Sequence, residues 1–193
     1  MHVLYVYCHP LPESFHAGIR AEALAGLAEG GHTVDLLDLY AEGFDPVLSA
    51  EERRHYHDTT LNRRGLESYV ARLQAAEVLV LQFPTWTFGP PALLKGFFDR
   101  LLMPGVAFDL SDPKRVRPLL TGVKRVVGVI TYGRPFHMVW WMANPSKKIV
   151  TRYIRWLTGG ARADVHALYH MNVATDAVRE GFKARVRKAM ARL

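Results

Sequence analysis

Short apolar runs alternate with longer amphipathic stretches along most of the chain. Five of these runs are almost continuously hydrophobic, which is typical of strands covered on both faces in a parallel sheet. The predicted strands are 2–8, 33–39, 78–83, 125–131 and 163–169. Helical patterns separate them, so we expect right-handed βαβ crossovers rather than hairpins. The pattern predicts an α/β fold in which a doubly wound, five-stranded parallel sheet has helices on both faces.

The segments between the strands carry apolar residues at helical spacing. The predicted helices cover 17–29, a short segment after Ser49, 64–76, the stretch after Pro90–Pro91, 144–157 and a final segment after Thr175. Ser49 and Glu52 have the spacing of a capping box, and Thr175 is a favourable N-cap residue. The expected buried face of the last helix consists of Val178, Phe182, Val186 and Met190. The long connection 103–124 has no predicted element.

The composition fits one domain of ordinary size, spanning residues 1–193. Cys8 is the only cysteine, which excludes an internal disulfide and favours a reducing, cytoplasmic setting. No apolar run approaches the roughly 18 residues that a membrane-spanning helix needs, and the N-terminus lacks the order of a signal peptide. We therefore expect a cytoplasmic protein without membrane insertion.

The net charge of +7 raises the question of nucleic-acid binding. The basic residues within 179–192 lie on a predicted helix whose other face is apolar, so a solvated helix face explains them. No nucleic-acid-binding motif is present, and we expect no nucleic-acid partner. A basic surface also attracts anionic nucleotides by long-range electrostatic steering.

One stretch, 77–103, combines a strand, an aromatic loop and a helix. The loop Thr85-Trp-Thr-Phe-Gly89 follows the carboxyl end of the third predicted strand, where ligands bind in open α/β sheets. Two aromatic side chains flanked by hydroxyls and a glycine can hold a flat ring with polar edges. Ordinary core aromatics would give the same local sequence. Their position between a buried strand and a helix favours the binding interpretation.

Three loops follow the first, third and fourth predicted strands, at 9–16, 84–89 and 132–137. In the flavodoxin-like strand order these loops rise on the same edge of the sheet. The first loop leads into a helix N-terminus, whose free N–H groups and dipole favour a phosphate. A phosphate at the first loop, a flat ring at the second and a third loop closing over it describe a ligand of the size of flavin mononucleotide.

These residues resemble the motifs of the NAD(P)H:quinone reductase family, which has the flavodoxin-like fold. The matching positions are His9-Pro, Ser14-Phe-His16, Pro84-x-x-x-Phe-Gly-x-Pro91-x-x-Leu-Lys-Gly-x-x-Asp-Arg100 and Gly105-x-x-Phe108. The family includes the mammalian quinone reductases, the bacterial modulator of drug activity B and flavoprotein subunits of potassium-efflux systems. The resemblance extends from the first strand to the last helix, and the middle motif is its most specific part.

The resemblance implies a flavin site built by the three loops. The implied cofactor-binding residues are His9, Ser14, Phe15, His16, Pro84, Thr85, Trp86, Thr87, Phe88, Thr131, Tyr132, Gly133 and Arg134. The first loop would hold the phosphate side of the flavin, the second its ring and the third its pyrimidine edge. The family's usual Thr-Thr-Gly-Gly is Thr-Tyr-Gly-Arg at 131–134, so we expect the hydrogen bonding of the third loop to differ.

The sequence does not identify the residues that relay protons. Tyr132 and His137 are candidates by position only. The mammalian members of the family use a Tyr and a His beyond the third loop, but these roles are not transferred to this chain. His137, Trp140 and Trp141 occupy that region without a clear matching pair. Trp140 and Trp141 fit a substrate lid and a dimer contact equally well. The two histidines within 55–57 lack a third ligand, so no metal site is predicted.

The resemblance implies an enzyme that oxidises NAD(P)H and reduces quinones or similar electrophiles by two electrons. Donor and acceptor would share one site, which predicts ping-pong kinetics. A homodimer is also implied, with 132–141 and 103–118 as candidate interface segments. The alternative is a flavoprotein subunit that docks on a membrane ion-efflux system and regulates it. The choices between FAD and FMN, and between NADH and NADPH, are left open.

Overall fold

The computed structural model describes residues 1–112 and 114–193. The five main strands are β1 (His2–Tyr7), β2 (Thr33–Asp38), β3 (Val78–Pro84), β6 (Arg125–Thr131) and β7 (Arg162–Leu168). A short pair, β4 (Phe108–Asp109) and β5 (Arg117–Pro118), lies between β3 and β6 in the chain. The main strands agree with the predicted ones to within one residue at each end.

The main strands form one parallel sheet in the order β2-β1-β3-β6-β7. This is the flavodoxin-like order, so the predicted fold class is confirmed. β1, β3 and β6 occupy the centre of the sheet, and their carboxyl ends meet at one edge. The antiparallel β4–β5 pair was not predicted. Each of its strands has only two residues, which is too short for an alternation of apolar and polar residues to be recognised.

The end of β3 differs slightly from the prediction. The predicted strand 78–83 ends before Pro84, which has no N–H to donate. In the structure Pro84 still pairs with Thr131 of β6, and Thr85 supplies the next N–H to the Thr131 carbonyl at 2.9 Å. A proline is tolerated here because it occupies the last position of the strand.

Helices cover both faces of the sheet. The α-helices are α1 (Phe15–Glu29), α2 (Ala50–His55), α3 (Glu67–Ala75), α4 (Ala92–Leu101), α5 (Phe136–Trp141) and α7 (Asp176–Met190). The segment α6 is one continuous helix in three parts, Pro145–Lys148, the π-helical Ile149–Ile154 and Arg155–Leu157. A 3₁₀ turn, Met171–Val173, follows β7. Among the described residues, no helix has both the length and the apolar character needed to cross a membrane.

Two helices depart from the predicted pattern. α3 begins at Glu67 rather than at 64, because Gly65 has a φ of +74°, which no α-helix accommodates. α5 was not predicted, because the sequence indicated a loop at 132–137 and no further element before the helix starting at 144. Its aromatic and sulfur-containing side chains mostly face solvent, so it has no helical stripe of buried residues that the sequence could have revealed.

Capping side chains start several helices where the sequence predicted them. Ser49 Oγ accepts a hydrogen bond from the Glu52 N–H at 3.1 Å, and the Glu52 carboxylate accepts one from the Ser49 N–H at 2.8 Å. Thr175 Oγ1 accepts from the Val178 N–H at 3.4 Å. These contacts confirm the predicted capping box of α2 and the predicted N-cap of α7.

The core has one layer on each face of the sheet. α3, α4 and α6 pack on one face, and α1 and α7 on the other. Phe182, Val186 and Met190 of α7 are buried as predicted, but the prediction for Val178 is wrong because this side chain is 47% exposed. Val178 lies in the first turn of α7, before Phe182, the first side chain of this stripe to reach the core.

Candidate active site

The three predicted loops come together at the carboxyl edge of β1, β3 and β6. A cleft of about 270 Å³ opens there between the second and third loops. Its lining residues are Thr85, Thr87, Phe88, Tyr132, Gly133, Arg134, Val139 and Asn172. None of these residues is acidic, and Arg134 places a cation at the cleft. The charge of the cleft therefore favours an electron-rich or anionic ligand.

The first loop ends in the N-terminus of α1, a helix of 15 residues. Ser14 is its N-cap residue, and the Ser14 hydroxyl accepts a hydrogen bond from the Ala17 N–H at 3.2 Å. Within the described chain the N–H groups of Phe15 and His16 have no acceptor. Free N–H groups at the positive end of a helix dipole form an anion site, which fits a phosphate.

His9 is the first residue of the first loop and lies beside the second loop. Its ring stacks on the ring of His16 with a centroid distance of 5.5 Å and is 6.2 Å from the ring of Trp86. His9 Nδ1 accepts a hydrogen bond from the Leu11 N–H at 3.2 Å. Burial lowers the pKa of His9 below its usual value. His9 therefore reaches the site as a predominantly neutral ring.

The second loop is a tight turn with a strained backbone. The N–H and carbonyl groups of Trp86 and Gly89 bond to each other in both directions at 3.0 Å. The two residues between them, Thr87 and Phe88, have φ values of +51° and +63°. Residues other than glycine rarely adopt this left-handed backbone conformation. Its steric cost is highest for a β-branched residue such as Thr. Among the described residues nothing accepts the N–H groups of Thr87 and Phe88, which leaves both available to a ligand.

Helix α6 holds this turn and the third loop in place. Ser146 is buried near the N-terminus of α6, and its hydroxyl donates to the Phe88 carbonyl at 3.2 Å. Asn144, the N-cap residue of α6, accepts a hydrogen bond from the Tyr132 hydroxyl at 2.8 Å. One helix start therefore positions both the second and the third loop.

A fourth loop, after β7, also reaches the cleft and was not predicted. His170 has a φ of +56° and turns the chain, so that its N–H bonds to the Arg134 carbonyl at 3.0 Å. The next N–H, from Met171, bonds to the Tyr132 carbonyl at 2.9 Å. Asn172 then lies against Gly133, where an added Cβ would come within 3.2 Å of its amide nitrogen. No sequence motif marks Asn172, because it reaches the cleft only through the pairing of β7 with β6 in the sheet.

Beneath the cleft, a buried hydrogen-bond network joins the central strands. The side-chain amide of Gln82, on β3, donates two hydrogen bonds to His16. One goes to the His16 backbone carbonyl at 2.7 Å and the other to the ring nitrogen Nδ1 at 3.1 Å. The amide oxygen of Gln82 accepts from the Tyr5 hydroxyl. His16 Nε2 lies 2.7 Å from Thr131 Oγ1. The side chains of all four residues are buried, so His16 and Thr131 support the site from below and do not face the cleft.

The network determines the protonation of His16. The Gln82 amide donates to Nδ1, so Nδ1 is the acceptor nitrogen and Nε2 carries the proton donated to Thr131. Burial, with a smaller contribution from the neighbouring His9, lowers the pKa of His16 to about 3. His16 is therefore neutral at physiological pH, and the anion site depends on backbone N–H groups instead of a histidine charge.

The two candidates for proton relay are placed differently. Tyr132 is buried, its hydroxyl donates to Asn144, and burial followed by the nearby Tyr169 raises its pKa well above the usual value. His137 lies exposed on α5 and does not line the cleft. Their catalytic roles stay predictions. Among the described residues, no group of three His, Cys, Asp or Glu side chains is arranged to hold a metal ion.

A larger cavity of about 420 Å³ lies elsewhere, between α2, α4 and α6. Its walls include Tyr56, Phe98 and Tyr153 together with the Lys95–Asp99 ion pair. It does not reach the carboxyl ends of the strands, so the smaller cleft is the better candidate for the active site.

Comparison with known proteins identifies the family of this chain. A family model described as "Flavodoxin-like fold" matches residues 1–193. The ribosyldihydronicotinamide dehydrogenase [quinone] of Pongo abelii is 37% identical over 124 residues, which cover 56% of this chain and 54% of that protein. The chain thus spans about half the length of the curated relatives that it matches first.

Several solved structures match this chain over nearly their whole lengths. Smu.1420 from Streptococcus mutans UA159 has a TM-score of 0.86 and 28% identity, with 100% of both chains covered. An NAD(P)H:quinone oxidoreductase from Methanothermobacter marburgensis has a TM-score of 0.83 and 26% identity, and the match covers 99% of this chain and 98% of that one. The predicted resemblance to quinone reductases is therefore confirmed. The chain belongs to the family described as the flavodoxin-like fold.

Proposed function

We propose that this chain is a flavin-dependent NAD(P)H oxidoreductase that reduces quinones or similar electrophiles by two electrons. The single observation that carries the proposal is the convergence of two sets of free backbone N–H groups at the carboxyl edge of the sheet. One set belongs to Phe15 and His16 at the start of α1, and the other to Thr87 and Phe88 in the strained turn. The names of the relatives support the same chemistry.

The donors at this edge fit a flavin. Phe15 and His16 offer N–H groups suited to its phosphate, and Ser14 adds a hydroxyl beside them. Thr87 and Phe88 offer N–H groups suited to the polar edge of a flat ring. When bound, a flavin accepts a hydride from a nicotinamide donor and passes two electrons to an electrophile. The residues present are compatible with FMN and with FAD.

The chain's own contribution is binding, orientation and electrostatics. The buried network below the cleft fixes the ends of β1, β3 and β6 relative to one another. Arg134 and the free N–H groups stabilise negative charge that develops on a bound ligand. Because one cleft serves donor and acceptor, the two substrates bind in turn, and we expect ping-pong kinetics.

We further propose that the protein is one cytoplasmic domain that works as a homodimer. Exposed side chains on α5 support an interface there, since Phe136, Trp140 and Trp141 are 57%, 69% and 78% exposed. Contiguous exposed apolar groups of this size commonly mark a protein contact. Trp140 and Trp141 follow Val139, which lines the cleft, so such a contact would also shield the site from water.

Steady-state kinetics tests the proposal directly. The purified protein, supplied with FMN or FAD, is assayed with NADH or NADPH and menadione over a matrix of both concentrations. We expect rapid turnover and parallel lines in the double-reciprocal plots. Tight flavin binding without turnover would contradict the enzyme proposal and favour the alternative of a regulatory flavoprotein subunit. Intersecting lines would contradict only the ping-pong mechanism.

A further inference from the structure

The solvent side of α6 is strongly basic and also carries exposed aromatic rings. The inward side of the helix consists of Ser146, Val150, Ile154 and Leu157, all of them buried. The outward residues are Lys147, Lys148, Arg152, Tyr153, Arg155 and Trp156, which we call the α6 basic face. Tyr153 and Trp156 are 44% and 43% exposed, and their rings stack with centroids 6.5 Å apart. The face thus presents four cations around an aromatic pair.

No acidic side chain balances this face within its own part of the chain. Between 114 and 163 the sequence contains eleven Lys and Arg residues and no Asp or Glu. Among the described residues, the four cations of the α6 basic face form no salt bridge. On the neighbouring elements, Asp99 of α4 is paired with Lys95, and Asp164 of β7 is paired with two arginines. The face therefore remains a patch of uncompensated positive charge.

This charge argues against a second copy of the chain as the occupant of the face. A two-fold symmetric contact brings the same patch of both subunits together. Two α6 basic faces would then oppose like charges, which is costly in an interface. An anionic partner is complementary to the face, and the aromatic surface on α5 remains free to form the proposed dimer.

The aromatic pair favours a lipid surface over other anionic partners. Trp and Tyr side chains prefer the boundary between membrane and water, where one end of the ring is apolar and the other is wet. Lys and Arg place their apolar stems beside the acyl chains and their charges at the lipid phosphates. We propose that the α6 basic face docks this protein reversibly on an anionic lipid surface.

The position of the face gives such docking a consequence. α6 begins at the cleft, where the Ser146 hydroxyl donates to the Phe88 carbonyl. A protein held by the α6 basic face therefore keeps this side of its cleft close to the bilayer. Apolar electrophiles that dissolve in lipid are concentrated there. The docking itself requires neither a flavin nor turnover, so its test is independent of the proposed oxidoreductase function.

Vesicle sedimentation tests the proposal. The full-length protein is mixed with vesicles of phosphatidylcholine alone or of phosphatidylcholine with phosphatidylglycerol, and the bound fraction is measured at increasing salt. We expect binding to the anionic vesicles, little binding to the neutral ones, and a loss of binding between about 0.05 M and 0.5 M salt because the charges are screened. Equal binding to both vesicle types, or none, would overturn the proposal.

Two variants locate the binding surface. The double substitution Lys148→Glu with Arg152→Glu should weaken binding to anionic vesicles by at least about tenfold, because each cation near such a surface contributes several-fold. The matched control is Lys188→Glu with Arg192→Glu, which changes the net charge equally at exposed positions at and just beyond the end of α7. The control should bind almost as wild type. If both double variants lose binding equally, the effect is one of net charge and the proposal is wrong.

The aromatic contribution and the competing occupants are tested separately. Trp156→Ala should weaken vesicle binding several-fold while leaving its salt dependence unchanged. If the wild-type protein binds a single-stranded oligonucleotide but not anionic vesicles, the occupant is nucleic acid instead of lipid. If Lys148→Glu with Arg152→Glu dissociates a dimer in analytical ultracentrifugation, the face is a contact between copies. Either result overturns the proposal. Circular dichroism verifies that each variant is folded.

Discussion

His16 combines complete burial, a fixed tautomer and a structural position below the candidate site. Its Nδ1 accepts from the Gln82 amide and its Nε2 is 2.7 Å from the Thr131 hydroxyl. If His16 were protonated, Nδ1 would carry a proton that points at the N–H group of Gln82. The buried surroundings exclude the water that would relieve that repulsion. Burial therefore lowers the pKa of His16 to about 3. The same contacts hold the start of α1 against β3 and β6.

The depressed pKa of His16 predicts a loss of stability in acid. In the unfolded chain a histidine has a pKa near its usual value of 6.5, so between pH 6.5 and about 3 the unfolded state binds more protons than the folded state. The free energy of unfolding should fall as the pH falls through this window. His16→Asn should flatten the dependence, although His9, whose pKa is also lowered, leaves a residual slope.

Denaturant unfolding at pH 7.5 and pH 5 measures this effect. His137→Asn is the matched control, because it replaces an exposed histidine that lies outside the buried network. An identical pH dependence in the wild type and in His16→Asn would show that His16 is not the group responsible.

Gln82 is expected to be the most sensitive member of the buried network. Gln82→Leu removes the partners of the Tyr5 hydroxyl, His16 Nδ1 and the His16 carbonyl at once. Each buried polar group left without a partner costs about 1–3 kcal/mol, so we expect a loss of about 3 kcal/mol or more in the free energy of unfolding. Tyr5→Phe, which removes only one of these contacts, should lose less in the same denaturant titration. Equal losses would contradict the central position of Gln82.

At the scale of elements, the turn after β3 stores backbone strain. Thr87 has a φ of +51°, which glycine adopts without steric strain. Thr87→Gly should therefore raise the free energy of unfolding by about 1 kcal/mol. It should also weaken flavin affinity, because a flexible turn no longer holds its N–H groups in place. Thermal melting and fluorescence titration with FMN measure the two effects. A variant with lower stability and unchanged affinity would contradict this account of the turn.

The packing of α1 against α7 depends on one close approach. A Cβ added at Gly26 would lie 2.2 Å from the carbonyl oxygen of Arg187, which is backbone and cannot move without the helix. Gly26→Ala should therefore destabilise the protein by about 2 kcal/mol or more. Gly18→Ala is the control on the same helix, because its Cβ would meet only the flexible Lys183 at 3.5 Å. Denaturant unfolding should show no loss for the control, since Ala favours the helix.

The elements differ in how far the sequence could predict them. The five strands are buried runs with clear boundaries, so their positions follow from hydrophobicity alone. α5 could not be predicted because Trp140 and Trp141 face solvent, and its pattern therefore resembles a loop. The predicted burial of Phe182, Val186 and Met190 in α7 was correct. The exposed Val178 shows that an apolar stripe can extend beyond the part of the helix that packs on the core.

At the scale of the whole molecule, topology assembles the candidate site. The order β2-β1-β3-β6-β7 brings together three loops that are separated by tens of residues in sequence. Hydrophobic periodicity and turn residues predict this convergence. They do not predict the fourth loop, because Asn172 reaches the cleft only through hydrogen bonds between neighbouring loops. The burial of His16 and Thr131 was equally hidden, since a sequence shows which loop carries a side chain but not whether that side chain faces a ligand.

The proposed function requires a flavin at the carboxyl edge of this sheet. The most direct measurement is the visible absorption spectrum of the purified protein, before and after incubation with excess FMN or FAD and removal of the unbound cofactor. We expect flavin bands at about one cofactor per chain, bleached by NADH or NADPH. A protein that remains colourless with either cofactor would contradict it.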